Sequence, residues 1–156
     1  MEIYSLLSEE TVKAGLRVTD KDDLLNKLID LLHSQLSSEQ LESVREAVFE
    51  REGIMSTGVG KGLAIPHGKV GDIDESYASF ALLDEPIDFD SIDGKPVRIA
   101  FLLVGPAQKN SMHIKLLSRI SRLLNNADFR ERLLKSGSPE EILNCFQKEE
   151  EQYFKA

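Results

Sequence analysis

Apolar positions recur in two different periods along this chain, and the change of period divides it into three parts. Leu25, Leu28, Ile29, Leu32 and Leu36 follow the i, i+3, i+4, i+7, i+11 spacing of one buried helix face. Thr19 or Asp20 is placed to cap that helix. Asp22 and Asp23 stand in its first turn, where negative charge suits the dipole. Ser37-Ser38-Glu39-Gln40 spells a Ser-x-x-Gln capping box and opens a second helix, with Leu41, Val44 and Val48 inward and Gly53 as its expected stop. Ahead of both, residues 14–19 read as a short strand. In the middle, residues 63–65, 77–83 and 97–104 are apolar runs bounded by turn chemistry, notably Asp-Gly-Lys-Pro at 93–96. After Gly105-Pro106 the helical period returns over about 111–124. Two further short helices are expected beyond it, broken by Ser-Gly-Ser-Pro at 136–139, where Pro139 suits a first helical position. Two helices, a block of strands and then more helices predict an α/β or α+β sandwich, with helices covering a mixed sheet.

The 156 residues suffice for one domain, 1–156, with a core that needs no staples. A formal net charge of −8, with no basic stripe, argues against a nucleic-acid partner and leaves room for a basic protein partner. The one cysteine, Cys145, excludes an intrachain disulfide and any CxxC metal site, so a reducing cytoplasm is the expected compartment. Cys145 keeps register with Ile142 and is expected in the core. The start of the chain is acidic where a signal peptide is basic, and the longest unbroken apolar run, 99–104, is far too short for a membrane span. The acidic end, "KEEEQYFKA", reads as a solvated tail.

The segment "GVGKGLAIPHGKV" (58–70) holds the candidate chemistry. It is not a P-loop, because Gly60-Lys61 is followed by Gly62 and the first required glycine position is Met55. Nor is it a dinucleotide fingerprint, because its glycines lead into a strand and a proline. The glycines instead suit close passage of backbone past another surface or a bound group. His67 follows Pro66, which fixes its own φ and restricts Ile65, and precedes Gly68, where the chain can turn. A ring on so stiff and bare a stalk is open to a large partner, and imidazole can be neutral and nucleophilic at cellular pH.

His113 falls in the first turn of the third long helix, with Leu117, Ile120 and Leu124 at i+4, i+7 and i+11. It is either a core-edge residue or a group beside an anion at the helix N-terminus. Arg51, in the last turn of the second helix, is either a cation complementing the dipole or a fixed partner for phosphate oxygens. His33 reads as a plain helix-surface residue. No HxxxH or HExxH accompanies these histidines, so a metal site is not expected.

"STGVGKGLAIPHGK" (56–69) resembles the active-site signature of the fructose/mannitol-type enzyme IIA domains of the bacterial phosphotransferase system, including the nitrogen-regulatory branch. Arg51-Glu52, "DGKPVRIAFLLVGP" and "HIKLLSRISRLL" extend the resemblance over essentially the whole chain. It implies a mixed five-stranded sheet flanked by helices. His67 would be the phosphorylated histidine, Arg51 the arginine beside the phosphoryl group, and His113 an assisting histidine that carries no phosphate. It further implies a phosphocarrier that takes phosphate from the carrier HPr through Nε2 of His67. The phosphate would pass to a IIB component, or the phosphorylation state would act in regulation, with no metal or nucleotide cofactor. Lys61 departs from the small residue the family often has there, which bears on partner preference. A second class of function is a non-catalytic interaction module of the same fold, as in the cytoplasmic domains of some anion transporters.

Overall fold

In the computed structural model, which describes residues 2–154, the apolar runs form a six-stranded mixed sheet. Numbered in chain order, β1 (Val12–Leu16), β5 (Tyr77–Ile87), β6 (Val97–Pro106), β3 (Leu63–Ala64) and β2 (Gly58–Gly60) lie side by side. β4 (His67–Val70) also pairs with β6. β3 and β4 are two halves of one interrupted strand, both parallel to β6: Leu63 pairs with Ile99 and His67 with Leu103. The interruption falls at Ile65-Pro66, and Pro66 has no N–H to give to a ladder.

β5 and β6 carry near-continuous apolar runs because both faces of each are buried. Phe80, Leu82, Ile99, Phe101 and Leu103 face one core; Ala81, Leu83, Ala100, Leu102 and Val104 face the other. Helices α1 (Lys21–Asp30) and α2 (Ser38–Ile54) fill the second core through Leu24, Leu28, Val44 and Val48. Helices α3 (Asn110–Leu124), α4 (Ala127–Leu134) and α5 (Pro139–Phe154) fill the first. There Phe146 meets Phe80, Phe101 and Phe129 edge-on at 5.1, 5.8 and 5.2 Å between centroids. Both expected caps form: Asp20 accepts from the Asp23 amide at 2.9 Å, and Ser37 and Gln40 close their box reciprocally. No helix among the described residues is long and apolar enough to cross a membrane.

Several expectations are corrected. The mixed sheet flanked by helices is the expected one, and its strands number six where roughly five were expected, because the glycine-bearing β2 and β4 have little intrinsic strand signal and are recruited by pairing with β3 and β6. β1 starts at Val12 rather than residue 14, since the buried Thr11 and Val12 set its register against Phe80. α1 ends at Asp30; Leu32 and Leu36 stay buried from the turns that follow. α2 runs through Gly53 to Ile54 and gives way to extended backbone at Met55. The last helix is long and takes in the acidic end as far as Phe154; Lys148, Glu151, Gln152 and Tyr153 are exposed as expected, but two of its carboxylates are not. Glu149 and Glu150 are buried: Glu149 pairs with Arg132 at 2.5 Å, and Glu150 pairs with Arg119 at 2.9 Å. Glu150 also takes the amides of Ile3 and Tyr4. Lys155 and Ala156 of that tail lie outside the described residues. Cys145 is only partly buried, packed against the edge of the first core.

Candidate functional site

The side-chain period of two along β4 sends Gly68 and Val70 toward α2 and its core, and leaves His67 and Lys69 on the α3 side. Gly68 is required by close approach. A Cβ there would stand 3.2 Å from both the amide nitrogen and Cγ2 of Val48, and 3.3 Å from the carbonyl carbon of Ala47. The backbone of α2 therefore rests almost directly on β4. Arg51, one turn beyond Val48, is thereby brought into the same cleft as His67. That cleft, of about 590 Å³, is lined by Arg51 and Glu50 of α2, His67 and Lys69 of β4, and Asn110 and His113 of α3.

The His67 ring is half-buried, and its Nδ1 lies 2.9 Å from the carbonyl oxygen of Ile65. A carbonyl can only accept, so Nδ1 carries the proton and the lone pair sits on Nε2. Burial lowers the pKa of His67; the Ile65 carbonyl opposes that shift, and the Arg51 guanidinium adds to the lowering. The ring is therefore neutral at neutral pH.

His113 lies on the first turn of α3, 3% exposed, with its ring centroid 5.8 Å from that of His67. Gly105 makes room for it: a Cβ at that position would sit 3.0 Å from His113 Nδ1. Burial first, then the neighbouring His67 and Lys69, push its pKa down to about 4. Both its ring nitrogens are buried without a protein partner. An unpartnered polar ring that is almost fully enclosed has a hydrogen bond to give to whatever enters the cleft.

Arg51 donates from Nη1 to the carbonyl oxygen of Met55 at 2.8 Å, so it does serve the helix end. Its other N–H groups leave it able to face the cleft as well. The three sequence-designated residues thus share one cleft, whereas His33 sits on the exposed far end of the α1 turns. Lys69 and Asn110 were not singled out in the sequence, and their side chains meet at 2.6 Å across the cleft. Lys69 stands two residues from His67, which would have flagged it had residues 67–70 been legible as a strand. The glycines of the signature have structural duties: Gly60, Lys61 and Gly62 all take positive φ in the β2–β3 hairpin turn. Among the described residues no group of three or more His, Cys, Asp or Glu is arranged to hold a metal ion.

A half-buried neutral imidazole with Nε2 free, two cations and a second enclosed histidine in one cleft make a site for a nucleophile meeting an anionic electrophile. Comparison with known proteins identifies the family. The family model described as phosphoenolpyruvate-dependent sugar phosphotransferase system, EIIA 2, matches residues 5–149. A nitrogen regulatory protein of Bradyrhizobium diazoefficiens is 37% identical over 142 residues, covering 91% of this chain and 92% of its own. A fructose-specific EIIA component of Haloferax volcanii is 35% identical over 122 residues, covering 78% and 79%. The crystal structure of nitrogen regulatory protein IIA-Ntr from Neisseria meningitidis superimposes with a TM-score of 0.84 at 32% identity, covering 92% of this chain and 98% of that one. On the match of its sequence and its fold, the chain belongs to the EIIA 2 family of the phosphoenolpyruvate-dependent sugar phosphotransferase system.

Proposed function

We propose that the protein is a phosphocarrier that takes a phosphoryl group onto Nε2 of His67 from the phosphohistidine of an HPr-type carrier. It passes the group to a IIB component, or its phosphorylation state regulates a target protein. The observation that carries this reading is the 2.9 Å contact between His67 Nδ1 and the Ile65 carbonyl, which leaves Nε2 as the nucleophile in the cleft.

In the transfer the Nε2 lone pair attacks phosphorus in line with the donor nitrogen. The new N–P bond forms as the old one breaks, and the electron pair of the broken bond returns to the donor imidazole. No base is needed, because the attacking nitrogen carries no proton. The product ring is cationic, and its Nδ1–H stays on the Ile65 carbonyl, which stabilises that charge. Such a reaction depends on positioning and on stabilising the equatorial oxygens. Arg51 offers a planar fork to those oxygens and Lys69 a second positive charge. His113, neutral at working pH, donates a hydrogen bond without adding a charge that would disfavour release to the acceptor.

The regulatory branch is favoured by the relatives: the likeness to a nitrogen regulatory protein runs over nearly the whole of both chains. A non-catalytic module is disfavoured, since a scaffold has no use for a half-buried nucleophile beside two cations. The test is incubation with phosphoenolpyruvate, enzyme I and an HPr-type carrier, followed by intact-mass measurement. One acid-labile phosphoryl group is expected on wild type and none on His67→Ala. Full labelling of His67→Ala would overturn the assignment.

A further inference from the structure

The residue beside Arg51 has a separate part. Glu52 is 7% exposed, in the last turn of α2, and its carboxylate is fully engaged. Oε2 takes the Thr57 amide at 2.8 Å and pairs with Lys21 Nζ at 3.0 Å, while Oε1 takes the Thr57 hydroxyl. Thr57, 4% exposed, is therefore held by both main chain and side chain. Its carbonyl accepts the Ile65 amide at 3.0 Å, and the Ile65 carbonyl accepts His67 Nδ1–H at 2.9 Å. The Ile65-Pro66 dipeptide is the break between β3 and β4, where regular ladder pairing lapses. It is held at its two ends instead, by Thr57 at the Ile65 amide and by the Leu103 amide, which donates to the Pro66 carbonyl at 3.1 Å.

We infer that Glu52 is a positioning residue for phosphoryl transfer: through Thr57 it aims the Ile65 carbonyl at Nδ1 of His67 and so keeps Nε2 free for phosphorus. The inference rests on His67 being the phosphoacceptor. A buried carboxylate with three donors is a poor route to stability alone, since an apolar replacement of matching shape serves as well. It is a good route to a fixed carbonyl direction, because its three bonds reach from α1 and α2 into the loop before β2. The negative charge of Glu52 also works against the lowering of the His67 pKa by Arg51.

Glu52→Gln removes the charge that binds Lys21 and one acceptor for Thr57. Thr57→Val removes only the hydroxyl donor, and Thr57→Ser keeps it. Each full-length variant is labelled with ¹⁵N in its histidine rings, the His67 tautomer is read by NMR at neutral pH, and phosphate acceptance is timed on the same samples. Wild type and Thr57→Ser should show the Nδ1–H form alone. Glu52→Gln and Thr57→Val should show a measurable Nε2–H population and a fall in kcat of about tenfold or more, with KM for the phosphorylated carrier little changed. An unshifted tautomer, or a shifted one with wild-type kcat, overturns the inference. So does a rate loss that merely tracks the unfolded fraction in melting curves. If Glu52→Gln fails to fold, Thr57→Val decides. Failure of wild type to accept phosphate would defeat the phosphocarrier reading instead, while the tautomer measurement, which needs no phosphate, still reads out the positioning.

Discussion

Replacing Gly68 by alanine probes the packing that assembles the cleft. The added Cβ would meet Val48 N and Cγ2 at 3.2 Å and Ala47 C at 3.3 Å, two of the three being helix backbone. Carbon atoms sit comfortably at about 3.5–4.0 Å, so α2 must withdraw from β4 by roughly 0.3–0.6 Å. Overpacking of this kind costs about 1–3 kcal/mol, and the reduced freedom of the unfolded chain gives back about 0.4–1 kcal/mol. A net loss of about 1–2 kcal/mol lowers Tm by roughly 2–8 °C at this chain length. The same withdrawal carries Arg51 away from His67. If about 1 Å of misplacement costs a hundredfold in rate, half of that costs on the order of tenfold. Gly71→Ala is the control, because its Cβ would meet nothing within 4 Å. Paired melting curves and timed phosphorylation should show Gly68→Ala slower and less stable than both wild type and Gly71→Ala. Wild-type rate and Tm in Gly68→Ala would refute the close-approach argument.

Arg51→Lys keeps positive charge at the helix end but loses the fork, so transfer should slow by one to two decades, about 1.5–3 kcal/mol, with little change in melting; equal rates would leave Arg51 a helix-end cation. His113 is depressed in the folded state to about 4, so the unfolded chain binds its proton first as pH falls. Its contribution is therefore intact above about 6.5 and is lost toward 4, by up to about 3 kcal/mol; His113→Gln should flatten that slope in urea titrations, and an unchanged slope would contradict the shift. His67 is depressed as well, so phosphate acceptance should fall with acid at a lower pH than an ordinary imidazole would dictate; a midpoint at or above the ordinary imidazole value of about 6.5 would contradict the depression. Glu150→Ala strands the Ile3 and Tyr4 amides and Arg119, and should cost about 2–4 kcal/mol by urea unfolding while folded molecules accept phosphate at the wild-type rate.

Helical spacing and capping chemistry made α1, α2 and α3 legible in the sequence, because a 3.6-residue apolar period and a side-chain cap are local signals. β5 and β6 were legible as apolar runs, though their burial on two faces hides the alternation that would have shown which residues face α3. β2 and β4 were not, since Gly58, Gly60 and Gly68 carry no side chain to mark a pleat. That concealed the placement of Lys69 beside His67. His67 stood out from its proline and glycine neighbours, but its tautomer depends on the Ile65 carbonyl two residues back, an orientation set by Thr57 and β6 across the fold. The buried Glu149 and Glu150 look from sequence like any acidic tail. Only the packing of α5 against α3, α4 and the first residues turns them into ion-pair partners.

The most direct measurement is the position of the phosphoryl group on the ring itself. Protein labelled with ¹⁵N at histidine and phosphorylated by its carrier should show phosphorus coupled to Nε2 of His67, with Nδ1 still protonated. Coupling to Nδ1, or to either nitrogen of His113, would contradict the account.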